Sequence, residues 1–371
     1  MFQPFKANIT EDGWVRLKEL QGLILPMQKA QKALGVLRNM ALSLEGYELR
    51  KTQRMIMIPI VREPSSQQES ILRKELGSFQ IQQVTFERSV SRPKNLQEAV
   101  AGQIPSHLVS MLPHSFDVIG DIATIDLRSE LAPYSEVIGE GICRSNPNVR
   151  LVVRKSGQVS GKFRTRGLQI IAGSGGMETV HREFSCSYRL DISSVYFNPR
   201  LSHERLRVAK QVKDNEVVVD MFAGVGPYSV LIAKLQPTSR VYSIDINPSA
   251  IRYLEANTFG NRVADRVTPI LGDARELSKL KVRGIADRVI MNLPSEAGNY
   301  IDAALRTLKR EGGIVHFYQF AQRDTIVDSI KDSFKSSVIA ENRGVKSFNF
   351  CKAIREIAPG KVQVAIDAIV I

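Results

Sequence analysis

The sequence predicts an α/β protein whose last part, residues 201–371, folds as a Rossmann-like domain around a doubly wound sheet. Three observations carry this prediction. Short β-rich runs alternate with helical stretches from Leu201 onward. One of those runs, V-V-V-D at 217–220, feeds directly into a glycine loop. Polar side chains stand at the ends of successive strands.

The β-rich runs are 217–220, 240–245, 267–271, 288–292 and 314–318, with helical stretches between them, such as 228–234 and 248–257. Strands that alternate with helices pair in parallel, because each crossover returns the chain to the same end of the sheet. The chain closes with two strand candidates, 346–357 and 362–371, joined through P-G and expected to pair antiparallel.

Two further regions precede this domain. Residues 1–70 read as a small α+β module, with a helix within 26–49, a strand at 55–61 and a polar linker at 62–69. Residues 71–109 lead into a mixed α/β middle domain at 110–200. Its strand candidates are 116–127, broken at Gly120, then 149–153, 168–172 and 188–192.

The glycine loop is F-A-G-V-G-P-Y, in which Gly224 and Gly226 permit a tight turn and a close backbone approach to a ligand. Asp220 ends the first strand. Asp245 ends the second, 25 residues later, where a carboxylate can accept both ribose hydroxyls of an adenosine. Asp273 follows the third strand and can face an adenine amino group, and Asn292 ends the fourth. With the neighbouring Phe222, Ile246 and Ala274, these residues form the expected cofactor set. S-adenosylmethionine is the favoured cofactor. NAD is its competitor, but the loop lacks the third glycine of G-x-G-x-x-G, and the N-L-P ending suits a methyltransferase better.

Composition narrows the setting. Net charge is +13, which favours an acidic partner, nucleic acid first. The segment 145–170 holds six basic residues (Arg150, Arg154, Lys155, Lys162, Arg164, Arg166) and no acidic one, and 200–213 holds five basic residues and one Glu. Such clusters engage phosphates in a salt-dependent way. No apolar run approaches the roughly 18 residues a membrane span requires, and the N-terminus lacks a signal-peptide stretch. Cys143, Cys186 and Cys351 are scattered without C-x-x-C spacing, which argues against a disulfide framework or zinc site and for a reducing cytoplasm. A monomer without metal is expected.

The segments D-M-F-A-G-V-G-P (220–227), N-L-P-S-E-A (292–297) and V-Y-F-N-P-R-L-S-H-E-R (195–205) together resemble the tRNA (guanine-37-N1)-methyltransferase family of archaea and eukaryotes. The resemblance covers the chain from about residue 110 onward. It implies a class I methyltransferase domain, a middle domain that supports the anticodon loop and an N-terminal module that docks on the tRNA outer corner. It also implies residue roles. Glu204 matches the general base, Tyr196 an aromatic residue near the target base, and Arg205 a cofactor contact. Asn292 and Pro294 match the residues that frame the transferred methyl and the flipped base. Arg164 matches the arginine that contacts guanine O6, with Arg166 close beside it. Asn198 stands where the family often has Ser.

The chemistry explains this residue set. Guanine N1 carries a proton at neutral pH, so methylation there needs a base, and general-base help contributes about 10²–10⁴ in rate. Loss of that proton pushes charge onto O6, which a fixed guanidinium stabilises. The base must also leave its stack to reach the methyl group. Read without the resemblance, Glu204 fits a solvated helix carboxylate beside Arg207, Arg164 and Arg166 fit surface charges, and Tyr196 fits a core aromatic. Rival functions are a wyosine-pathway enzyme (methylation of a tricyclic precursor, or aminocarboxypropyl transfer), a non-catalytic tRNA-binding protein and, more distantly, an NAD-dependent enzyme.

Overall fold

The computed structural model describes residues 9–10, 13–14, 17–88, 93–160, 165–323 and 327–371. The chain divides into two compact units, Met1–Pro93 and Lys94–Ile371.

The first unit holds a short strand pair, β1 (Ile9–Thr10) and β2 (Gly13–Trp14), then β3 (Leu17–Pro26), α1 (Ala30–Asn39), β4 (Arg50–Lys51), β5 (Met55–Pro59), α2 (Ser66–Leu76) and β6 (Gln80–Glu87). A four-stranded antiparallel sheet runs in the order β4-β5-β3-β6. Leu23, Leu25, Ile56 and Ile58 pack against Ala33 and Leu37 of α1 and Leu72 and Leu76 of α2. Two features depart from the sequence reading. Residues expected as a linker start α2, because Ser65 and Gln68 form a capping box that satisfies the first-turn amides. Strand β6 lies at 80–87, beyond the expected module end, and pairs with β3 over eight residues.

The second unit begins with α3 (Leu96–Ala99) and α4 (Ser106–Val109). Next come β7 (Asp117–Ile119), β8 (Ile122–Ile125), α5 (Ser135–Ser145), β9 (Leu151–Ser160) and β10 (Thr165–Gly173). The sheet order is β10-β9-β8-β7, mixed in direction, and α5 covers one face through Ile138 and Ile142. A separate hairpin follows, β11 (Glu178–Glu183) and β12 (Cys186–Asp191).

The remaining elements are α6 (Ser202–Ala209), β13 (Val217–Asp220), α7 (Pro227–Leu235), β14 (Arg240–Asp245), α8 (Pro248–Gly260), β15 (Val267–Leu271), α9 (Ala274–Lys279), β16 (Arg288–Met291), α10 (Ile301–Thr307), β17 (Gly313–Gln322), α11 (Val327–Ala340), β18 (Val345–Ala358) and β19 (Lys361–Val370). They build a seven-stranded sheet in the order β15-β14-β13-β16-β17-β19-β18. The first five strands are parallel, and β19 pairs antiparallel with both β17 and β18. The chain moves outward from β13 in one direction, then restarts at β16 on its other side. That reversal is a topological switch point, where such sheets bind ligands beyond their strand ends.

The hairpin is fastened to α8 by two asparagines one turn apart. Asn257 exchanges hydrogen bonds with both backbone groups of Arg189 at 2.7 and 3.1 Å, and Asn261 does the same with Ser187 at 2.9 and 2.7 Å. Each carboxamide thus completes an edge that a further strand would otherwise pair. One continuous core links Ile122 and Leu151 of the middle sheet, Tyr188 of the hairpin and Val218 and Leu231 of the C-terminal domain. Cys143, Cys186 and Cys351 are free thiols. Among the described residues, no helix is long and apolar enough to cross a membrane, and no cluster of metal-ligating side chains is present.

Candidate active site

At the switch point, the glycine loop leaves β13 with Gly224 at φ +55° and Gly226 at φ +86°. A Cβ on Gly226 would lie 2.2 Å from Leu254 Cδ1, so the loop closes down on α8 only with glycine there. The Gly224 amide donates to Asp245 Oδ2 at 2.7 Å, and the Asn247 amide donates to Asp245 Oδ1 at 2.9 Å. These bonds orient the Asp245 carboxylate at the end of β14 and leave a second lone pair on each oxygen for hydroxyl donors. Burial raises the Asp245 pKa, and the backbone amides oppose the rise.

A cavity of about 210 Å³ opens beyond these strand ends. Phe222, Gly224, Asp245, Ile246, Asp273, Ala274 and Asn292 of the expected cofactor set line it. Asp273 is also the N-cap of α9, accepting the Arg275 amide at 2.9 Å. Asn292 Oδ1 is buried without a hydrogen-bond partner. A buried acceptor left unpaired is costly, so this atom fits a ligand donor.

The cavity's charged lining is wholly acidic: Asp245, Asp273 and Glu296. Such a wall suits the ammonium, sulfonium and ribose hydroxyls of S-adenosylmethionine. It would repel the pyrophosphate of NAD, which needs free amides or cations.

Three members of the expected set lie outside this lining. Asp220 sits under the loop, where its Oδ2 accepts the Ser229 hydroxyl at 2.9 Å and burial pushes its pKa up to about 7. Gly226 turns toward Leu254 rather than the cavity. Arg205 is 2% exposed, donates to both oxygens of Glu183 at 2.7 and 2.6 Å and stacks on Phe197. Conversely, the sequence reading missed Tyr300, Glu296 and Asn247 as lining residues. Tyr300 meets Phe222 edge to face at 5.0 Å and carries Arg275 over its ring. It ends a single-turn 3₁₀ helix, Ala297–Tyr300, too short to leave a periodic signal.

A second cavity, of about 410 Å³, adjoins the first and shares Tyr196, Asn292 and Leu293 with it. Its walls are largely apolar: Ile119 and Leu168 from the middle sheet, Val195 and Phe197, then Pro294, Phe320 and Ile357. The Pro294 carbonyl accepts the Phe320 amide at 3.1 Å, which pins the N-L-P turn to β17. Tyr196 is 49% exposed, an open aromatic face at the junction rather than a core residue. Lys155 and Arg200 both donate to Asp117, which lies in the same wall.

Glu204 is 7% exposed and is not among the residues lining either cavity. Its two oxygens accept from Arg207 at 2.7 and 2.8 Å, and Oε1 also accepts the Tyr318 hydroxyl at 2.7 Å. Arg207 in turn donates to Asp367 of β19. Burial would raise the Asp367 pKa, but hydrogen bonds from His316 and Arg207 hold it well below the usual carboxylate range. Glu204 is therefore no solvated helix carboxylate. Arg164 lies outside the described residues, and Arg166 is described in its backbone alone.

Comparison with known proteins now bears on this site. The family profile for the TRM5/TYW2 methyltransferase domain matches residues 179–346, and that for the TYW2 N-terminal domain matches 96–176. The tRNA (guanine(37)-N(1))-methyltransferase Trm5b of Pyrococcus abyssi is 38% identical over 322 residues, covering 86% of this chain and 90% of the relative.

The chain belongs to the tRNA (guanine-37-N1)-methyltransferase family.

Two solved structures of this family's fold are close. A complex of aTrm5 with tRNALeu has a TM-score of 0.70 at 30% identity, covering 94% of this chain and 99% of that one. TYW2 of Pyrococcus horikoshii in complex with MeSAdo has a TM-score of 0.62 at 30% identity, covering 74% and 97%. The methyl donor of this methyltransferase family is S-adenosylmethionine, and the acidic 210 Å³ cavity is the place in this chain that fits it.

Proposed function

We propose that the protein transfers the methyl group of S-adenosylmethionine to N1 of the guanine at position 37 of tRNA. The observation that supports this reading most is the junction of the two cavities at Tyr196, Asn292 and Leu293. A donor in the acidic cavity and a flipped base in the apolar one would meet there, with Tyr196 offering its ring to the base.

When bound, S-adenosylmethionine would supply an electron-poor methyl carbon whose S–C bond breaks as the N1–C bond forms, with the thioether as leaving group. Asp245 and Asp273 orient the donor through ribose and adenine. Asn292 and Pro294 frame the junction and keep water from it. Glu204 takes the N1 proton, and Arg164 stabilises the charge that develops on O6. In the described arrangement Arg207 occupies both Glu204 oxygens. Proton transfer therefore requires Glu204 to exchange that pairing as the base enters. Asp367 remains as a partner, so Arg207 is not left unpaired by the exchange.

The first compact unit and the basic segments 145–170 and 200–213 engage the tRNA backbone, and the protein acts as a monomer in a reducing, cytoplasmic setting. Two differently labelled donors test the reaction class. Label from the methyl group should enter tRNA, and label from the donor's carboxyl carbon should not. Transfer of the carboxyl label would establish aminocarboxypropyl transfer and overturn the proposal.

A further inference from the structure

Three side chains form one rung across the C-terminal strands. Gln363 of β19 pairs in register with Phe320 of β17 and with Arg355 of β18. All three line the 410 Å³ cavity. Gln363 is 1% exposed. Its Oε1 accepts from Arg355 Nε at 2.8 Å. A guanidinium can only donate, so this bond fixes the orientation of the carboxamide and places its NH2 group on the opposite side. That Nε2 is buried with no hydrogen-bond partner. A buried, oriented and unpaired donor in a cavity wall is costly in the empty state and is satisfied by a ligand acceptor.

The charged part of the cavity's lining agrees. Arg355 adds positive charge, and Asp117, the cavity's one carboxylate, is paired with Lys155 and Arg200. The wall thus favours the acceptor edge of a base. Guanine presents two adjacent acceptors, O6 and N7, whereas adenine places an amino donor beside N7.

Resting on the proposed reaction, we infer that Gln363 reads the target base, donating from Nε2 to an acceptor on its O6/N7 edge. Arg355 is the positioning residue that holds the carboxamide for this contact.

The experiment compares full-length enzyme and its Gln363→Leu variant on tRNA carrying guanine, 7-deazaguanine or 6-thioguanine at position 37. Gln363→Leu should lower kcat/KM on guanine by about 10- to 100-fold. That penalty should shrink to within about 3-fold on one of the two analogues, whose altered atom is then the acceptor. Affinity for S-adenosylhomocysteine should be unchanged. Gln363→Glu keeps the acceptor for Arg355 and the side-chain volume but loses the donor, and should repeat the pattern if the leucine variant folds poorly. An equal penalty on all three bases, or no penalty on guanine, would overturn the inference. Wild-type enzyme that methylates none of the three would instead sink the underlying reaction, so the two failures are distinguishable.

Discussion

The Tyr318 hydroxyl donates to Glu204 Oε1 at 2.7 Å, tying the start of α6 to the middle of β17. Tyr228 donates in turn to the Tyr318 oxygen at 3.2 Å, and burial pushes the pKa of both phenols up. Neutral phenols thus pass a directed chain of hydrogen bonds to the carboxylate. Glu204→Gln should therefore lower kcat by about 10²-fold or more, the scale of general-base help. Cofactor affinity should change little, because Glu204 does not line the donor cavity. Single-turnover rates and isothermal titration with S-adenosylhomocysteine measure the two separately. Equal losses in both would make Glu204 a structural residue.

Arg207 serves two buried carboxylates, Glu204 and Asp367. Truncating it removes their shared cation and leaves Glu204 with Tyr318 and Asp367 with His316 and Gln211 as partners. Arg207→Ala should cost about 3–5 kcal/mol of stability, as breaking buried ion pairs does. Arg207→Lys should recover part of that loss. Urea unfolding checks the order wild type, lysine variant, alanine variant. An alanine variant within 1 kcal/mol of wild type, on the scale of a surface pair, would contradict the shared role.

Asp245 should govern donor binding. Asp245→Ala removes the carboxylate that Gly224 and Asn247 orient. Donor affinity should fall about 10- to 100-fold, the effect of losing hydrogen bonds to a charged group. Titration calorimetry with S-adenosylhomocysteine reads this directly, and an unchanged Kd would remove Asp245 from the ribose site.

Asp220 makes stability depend on pH. Burial raises its folded pKa to about 7, above an unfolded value of about 3.9. A raised pKa contributes stability that is complete below the unfolded value and is lost as pH rises through the folded one. Asp220→Asn removes that dependence and keeps an acceptor for Ser229. The variant should match wild type near pH 4 and exceed it by about 1–4 kcal/mol near pH 8. Thermal unfolding of both proteins across this range measures the difference. A difference that is flat with pH would show that Asp220 stays ionised in the folded protein.

How much the sequence disclosed follows from what each element depends on. V-V-V-D and the run at 288–291 are the two innermost parallel strands, so their burial shows as short apolar runs, whereas polar residues interrupt β14 and the edge strand β15. Asp245, Asp273 and Asn292 were legible because a strand's end fixes where its last polar side chain stands. The insertion of β19 between β17 and β18 was not legible, since strand order is set by long-range pairing. The role inferred for Gln363 is hidden from the sequence for the same reason. In K-V-Q-V-A-I it is one polar residue in an apolar strand, and only the folded sheet makes Phe320 and Arg355 its neighbours. The resemblance assigns Arg205 to the cofactor, and in the structure its guanidinium on α6 pairs with Glu183 of the hairpin, a contact that no sequence spacing marks. The linker expected at 62–69 is a helix start instead, because the S-x-x-Q cap at Ser65 and Gln68 satisfies the first-turn amides of α2 despite the segment's polarity and proline.

Mass mapping of an unmodified tRNA transcript after incubation with enzyme and S-adenosylmethionine decides the reaction. 1-Methylguanosine at nucleotide 37, with no other change, is the expected product. An aminocarboxypropyl adduct, a methyl group at another atom or nucleotide, or an unmodified transcript would contradict the proposed reaction.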